Sequence, residues 1–191
     1  HSFHKRIYSD LVIGLGGSYL IFRKAWVYSL RRDSFVTKVL DWSRRQRTLK
    51  IVDDQVSNPT WAGSLAEATR RVLEIAVDGC AAEAGKVNQE QFLERISERA
   101  GLYHLAGDGF ASRFEWAKEI LALDPMPNEQ IARELLPAKT DDFPTAAKRP
   151  LFSALDCGKF ERTFGFRLMP WKDALRRAFD VRSEDPEPGD G

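Results

Sequence analysis

The chain has 191 residues, of which 43% are hydrophobic and 30% charged, and its formal net charge is +1. That length suits one domain or one and a half, with enough apolar residues for a sizeable core. A charge this close to zero supplies no bulk field toward nucleic acid or an anionic membrane, so neither is expected as a partner.

The first patterned stretch is DLVIGLGGSYLIF, residues 10–22. A dinucleotide phosphate loop needs a strand, then G-x-G-x-x-G, then a helix. Here Gly14, Gly16 and Gly17 precede the apolar run, and Tyr19 stands at the third glycine position. The order instead predicts a helix that ends at Gly16 and Gly17, where a left-handed backbone is easy. Residues 18–29 follow as one near-continuous apolar strand interrupted by Arg23 and Lys24. Continuous apolarity predicts a strand covered on both faces, as in a parallel sheet.

DSFVTKVLDWSRRQR reads as a helix capped by Asp33 or Ser34, with Phe35, Val36, Val39, Leu40 and Ser43 on one face. Its basic end, Arg44, Arg45 and Arg47, suits the negative end of the helix dipole, or else forms a phosphate-binding patch. Residues 49–52 form a short strand. Ser64 and Glu67 read as a capping box opening the next helix, with Leu65, Ala68, Val72, Leu73 and Ala76 buried. Residues 78–90 read as a loop, QFLERISERAG as a helix stopping at Gly101, and LYHLA as a third strand. Ser112 and Glu115 cap the helix SRFEWAKEILAL. The proline-rich residues 124–150 predict one short helix and a long loop. Two helices, in FSALDCGKFERTFG and PWKDALRRAFD, close the chain, and residues 181–191 form a disordered tail. Strand and helix alternate three times, which predicts an α/β fold with a parallel sheet and a smaller α-rich lobe.

Cys80 and Cys157 lie far apart with no C-x-x-C, which fits a reduced, cytoplasmic protein. No apolar run approaches the ~20 residues that span a bilayer, and no signal peptide is expected. The first residue is His rather than Met, which suggests a fragment or a processed chain. There is no metal-ligand spacing, no Ser–His–Asp set and no P-loop.

Candidate chemistry sits at strand ends. Trp26 and Tyr28 provide a flat platform and a hydroxyl donor suited to a sugar or nucleobase, or else they are core aromatics. Asp53, Asp54 and Gln55, followed by Pro59 and Thr60, stand past a strand where α/β folds bind ligands, or else form a turn with an N-cap. Arg149, held before Pro150 and followed by Ser153, offers a fork for phosphate, or else is a surface charge. Trp42 and Trp116 fall within helical periodicity and read as structural, and His104 reads as a core residue.

In order, the chain carries Y-L-I-F-R-x-x-W-V-Y, D-D-Q-x-x-x-P-T, G-L-Y-H-L-A-G, F-P-T-x-A-x-R-P-x-x-S-x-L-D and F-G-x-x-x-x-P-W. This series resembles the later half of the dTDP-4-dehydrorhamnose reductase family, also called dTDP-L-rhamnose synthases, which are extended short-chain dehydrogenases. The resemblance implies part of a Rossmann-like parallel sheet with a smaller α-rich substrate-binding lobe. It implies NADPH-dependent reduction of dTDP-4-dehydro-6-deoxy-L-mannose to dTDP-L-rhamnose for polysaccharide biosynthesis. Residues 1–17 would be the remnant of the helix that carries the catalytic motif, and residues 18–180 the sugar-nucleotide domain. NADPH would bind a Rossmann half outside this chain, Mg2+ is a further candidate cofactor, and a homodimer a candidate assembly.

By the same resemblance, Trp26 and Tyr28 would line the sugar side. Arg149 and Ser153 would meet the nucleotide or its diphosphate, and Pro59 and Thr60 would lie near the nicotinamide. The lysine of the family's Y-x-x-x-K aligns with Lys5, which puts His1 at the tyrosine that serves as proton donor. The family's R-T-S-W is Arg23-Lys24-Ala25-Trp26 here, Ser34 stands for the asparagine before Phe35, and Ser57 for a glycine. These departures leave room for an alternative: a non-catalytic nucleotide-sugar-binding or regulatory module, like the regulatory β subunit of methionine adenosyltransferase. Such a chain alone is expected to be inactive.

Overall fold

The structure, a computed structural model, describes residues 2–80, 82–83, 86–143 and 149–184. The first half forms α1 (Ser2–Leu15), β1 (Leu20–Arg23), β2 (Val27–Tyr28), α2 (Phe35–Arg45), β3 (Thr48–Val52), β4 (Val56–Ser57), β5 (Thr60–Trp61) and α3 (Ala62–Val77). The second half forms β6 (Ala82–Glu83), β7 (Lys86–Val87), α4 (Gln89–Glu98), β8 (Gly101–His104), β9 (Ala111–Ser112), α5 (Arg113–Ala122), β10 (Glu134–Ala138), α6 (Gly158–Phe164) and α7 (Trp171–Glu184). The chain divides into two compact units: residues 1–24, 66–105 and 156–167, and residues 25–65, 106–155 and 168–191.

In the first unit, α1 stops where the glycines predict. Gly16 and Gly17 have φ of 69° and 90°, which only glycine adopts without strain. The chain then enters β1, which pairs parallel with β8 from Leu20 opposite Gly101 to Arg23 opposite His104. Aromatic rings cover this pair. Tyr103 of β8 meets Phe164 of α6 at 5.2 Å between centroids, and Phe22 of β1 meets Phe160 at 5.8 Å. His104, half-buried, places Nδ1 3.1 Å from the Asp156 carbonyl. Where a loop was expected over residues 78–90, β6 and β7 pair antiparallel.

In the second unit, β3 pairs parallel with β10 and β2 with β5, while β4 pairs antiparallel with β9. The core gathers the predicted face of α2 (Val36, Val39 and Leu40), Leu49 and Ile51 of β3, Trp116 and Ile120 of α5, and Leu175 of α7. Both caps have local causes. Ser34 and Thr37 bond each other's backbone N–H at the start of α2, and Ser112 and Glu115 do the same for α5.

Four further expectations differ from the structure. Residues 18–29 are two short strands, because Trp26 takes φ 34°, a left-handed turn that no β ladder continues. Ser64 does not open α3. The helix starts at Ala62, straight after β5, so Ser64 lies inside the first turn, while Leu65 is half-buried and Leu73 exposed. The proline-rich stretch supplies β10, which completes a ladder with β3; Pro137 is tolerated because β10 has no second neighbour among the described residues. Helix α7 runs through Glu184, past the expected start of the tail, and residues 185–191 lie outside the described residues. The mixed α/β architecture with parallel strand pairs is the one expected. No helix among the described residues is long and apolar enough to cross a membrane.

Candidate ligand-binding site

The second unit carries an open cavity of about 440 Å³, within the range of small-molecule sites. Its walls are the rings of Trp26, Phe35, Trp42, Trp116 and Phe143, with Val27, Ile51 and Val52 between them. Its charges are Lys38, Lys50, Arg113 and Arg149, and among the described residues no carboxylate lines it.

Local structure explains how each group arrives. Trp116 is buried on α5 and forms the base of an aromatic cluster. Trp26 stacks on it at 5.6 Å with 11° between planes, and Phe35, first residue of α2, lies 4.8 Å away. The Trp26 carbonyl accepts a 3.1 Å hydrogen bond from the Thr60 N–H, which holds the turn between β1 and β2. Arg113 is the first residue of α5, and its own N–H donates to the Gln55 carbonyl at 3.1 Å. Its guanidinium carbon sits 4.3 Å from the centre of the Trp26 ring and 4.7 Å from that of Phe35. Burial, and then the charge of Arg149, push its pKa down to about 10, so it stays a cation at neutral pH.

Arg149 lines the cavity because the segment after it is anchored. The Val56 N–H donates to the Leu151 carbonyl at 2.7 Å, and the Ser153 N–H donates to the Val56 carbonyl at 2.9 Å. The residue before Pro150 is thereby presented on an edge fastened to β4.

The other predicted residues have different places. Tyr28 is buried behind the cavity, its ring 5.4 Å from Trp116, and does not line it; burial pushes its phenol pKa well up. Ser153 Oγ–H points at the Val56 carbonyl, 3.4 Å away, so its contacts are to backbone. Pro59 and Thr60 are fully buried. Thr60 Oγ1 donates to the Asn58 carbonyl at 3.0 Å and accepts from the Gly107 N–H at 3.1 Å, which makes it part of the frame under Trp26. Asp53 pairs with Lys139 at 2.8 Å. Asp54 accepts from the Thr140 N–H and hydroxyl, which hold its carboxyl below the usual range. Lys5 falls on α1, but its side chain, like all of His1, lies outside the described residues.

Sequence reasoning missed Arg113, which reads as the polar start of an amphipathic helix. Its signal is a cation at the first position after a Ser cap, a place where helix electrostatics favour an anion. Trp42 and Trp116 were expected to be structural; both also line the cavity.

Among the described residues no group of three His, Cys, Asp or Glu side chains could hold a metal, so Mg2+ finds no support here. Gly14, Gly16 and Gly17 do not form a dinucleotide phosphate loop. The glycines at 16 and 17 end a helix and precede a strand, the reverse of a phosphate loop.

Residues 10–183 match the family model described as "RmlD substrate binding domain". A dTDP-4-dehydrorhamnose reductase of Sinorhizobium fredii is 32% identical over 161 residues, which cover 84% of this chain and 49% of that protein. The spore coat polysaccharide biosynthesis protein SpsK of Bacillus subtilis is 26% identical over 179 residues, covering 94% and 53%. Among solved structures, a dTDP-4-dehydrorhamnose reductase from Clostridium acetobutylicum superposes with a TM-score of 0.67 at 27% identity, covering 86% of this chain and 49% of that one. One from Bacillus anthracis in complex with NADP reaches 0.69 at 24% identity, covering 90% and 52%, and shows the shared fold. The chain spans about half the length of the curated relatives it matches. With 174 consecutive residues, 10 through 183, matched to one model, the chain belongs to the RmlD substrate binding domain family.

Proposed function

We propose that this chain is the substrate-binding portion of a dTDP-4-dehydrorhamnose reductase and that its cavity holds the dTDP moiety of the sugar nucleotide. The observation that carries this reading is the cavity's chemistry: aromatic walls and, among the described residues, charged groups that are all cationic. A planar base stacks on such rings, and a diphosphate is drawn to arginine and lysine. Trp26 supplies the platform and Arg149 a diphosphate contact. Tyr28, Pro59 and Thr60 support the platform from the core, and Ser153 fixes the segment that presents Arg149.

The whole protein would reduce the 4-keto group of dTDP-4-dehydro-6-deoxy-L-mannose with NADPH, in the cytoplasm. The cofactor would be held by a dinucleotide-binding half, and this chain alone would not turn over. Titration calorimetry with dTDP, dTDP-L-rhamnose and NADPH tests the assignment. Binding of the first two without the third is expected, and no heat with either dTDP compound overturns it.

A second reading, a non-catalytic module of the same superfamily, is favoured by Lys24 and Ala25, which stand where the resemblance expects two hydroxyl residues just past β1. Absorbance at 340 nm separates the two readings. The full-length protein with the keto sugar nucleotide should oxidise NADPH, and a rate no higher than the blank would favour the module.

A further inference from the structure

We propose that Arg113 is a second diphosphate-recognising residue of the cavity and works with Arg149 as a two-guanidinium clamp. This rests on reading the cavity as a nucleotide site. The side chain of Arg113 has no hydrogen bond or ion pair among the described residues, although it is only half exposed. Another partly buried arginine of the same unit is treated differently. Arg44 bonds Asp124 at 3.0 Å, Glu129 at 2.7 Å and the Leu40 carbonyl at 2.9 Å. Packing alone therefore does not account for leaving Arg113 unpaired.

The surroundings add to the case. Trp26 and Phe35 contact the face of the guanidinium, which compensates part of its lost hydration. Face contacts leave the edge N–H donors free, and those donors grip a phosphate with parallel hydrogen bonds. Arg149 lines the same cavity wall as Arg113, and its charge acts on Arg113. Two like charges without a counter-charge are unfavourable together, and an anion between them removes the repulsion. Of the other cations on the wall, Lys38 already pairs with Asp33 at 3.2 Å.

The test measures binding of dTDP, inorganic pyrophosphate and thymidine to the wild type, Arg113→Gln and Arg113→Lys, with calorimetry for the anions and ligand-observed NMR for thymidine. Loss of dTDP and pyrophosphate affinity by about tenfold or more in Arg113→Gln is expected, the size of a charge-assisted hydrogen bond. Thymidine should change less than about twofold, and Arg113→Lys should fall between. Equal dTDP affinity in wild type and Arg113→Gln overturns the clamp and leaves the nucleotide reading standing. A thymidine loss as large as that of dTDP also overturns it, because Arg113 would then serve the base. Pyrophosphate binding that needs Arg113, with no dTDP binding, keeps the clamp and defeats the nucleotide reading. Binding of neither defeats both. Should Arg113→Gln fail to fold, selective loss of dTDP over thymidine in Arg113→Lys supports the clamp, and its absence overturns it.

Discussion

The indole of Trp26 lies nearly parallel to that of Trp116, with centroids 5.6 Å apart and planes 11° from each other. Trp116 is buried and fixed within α5, whereas Trp26 holds a left-handed φ of 34° in the turn between β1 and β2. A non-glycine residue in that region costs on the order of 1–3 kcal/mol, so the stack and the Thr60 hydrogen bond must hold it there. Replacing Trp26 separates the ring from the strain. Trp26→Gly should be more stable than Trp26→Ala by about 1 kcal/mol, since glycine accepts positive φ. Urea denaturation of the two variants checks this; an alanine variant as stable as the glycine one would mean the turn relaxes. Trp26→Phe, which keeps an aromatic but narrows the platform, should weaken dTDP binding by more than about twofold.

Arg149→Lys keeps the charge and loses the fork. Because the anchoring bonds involve Leu151, Ser153 and Val56 rather than the Arg149 side chain, the melting temperature should barely move. Binding of dTDP should weaken by ~1–3 kcal/mol, the range for hydrogen bonds to charged groups. Unchanged affinity would make Arg149 a surface charge. A large stability loss would make it a structural partner.

Gly107 packs against the Pro59 carbonyl so closely that an added Cβ would overlap it. Its N–H donates to Thr60 Oγ1 in the frame under Trp26. Gly107→Ala should destabilise the protein by ~1–3 kcal/mol, the usual cost of overpacking, and thermal denaturation reads it directly. A wild-type melting temperature would mean that the loop moves aside freely.

Asp54 accepts two hydrogen bonds from Thr140, which hold its carboxyl below the usual carboxylate range. A folded-state pKa below the unfolded one contributes stability that is complete above the unfolded value and is lost as pH falls through the folded value. The stability difference between wild type and Asp54→Asn should therefore be constant near neutrality and shrink below about pH 4. Urea denaturation from pH 7 to 3 measures it. A difference independent of pH would mean that the carboxylate charge plays no part.

Local signals in the sequence determined the ends and faces of many elements. Gly16 and Gly17 end α1, Ser112 and Glu115 open α5, and Val36, Val39 and Leu40 form the buried face of α2. These depend on contacts within one turn of helix, so the residues alone specify them. The ordered motifs, from Y-L-I-F-R-x-x-W-V-Y to F-G-x-x-x-x-P-W, likewise point to the family without the fold. Tertiary structure decided what depends on distant partners. Glu134–Ala138 became a strand because β3 offered a ladder 86 positions away, with Glu134 opposite Thr48, overriding a proline-rich composition. Tyr28 went to the core and Asp54 to Thr140, while Arg113 joined Arg149 and Trp26 at one cavity. Such gatherings follow from packing between segments far apart in the chain, where no short pattern of residues records which neighbour a side chain will meet.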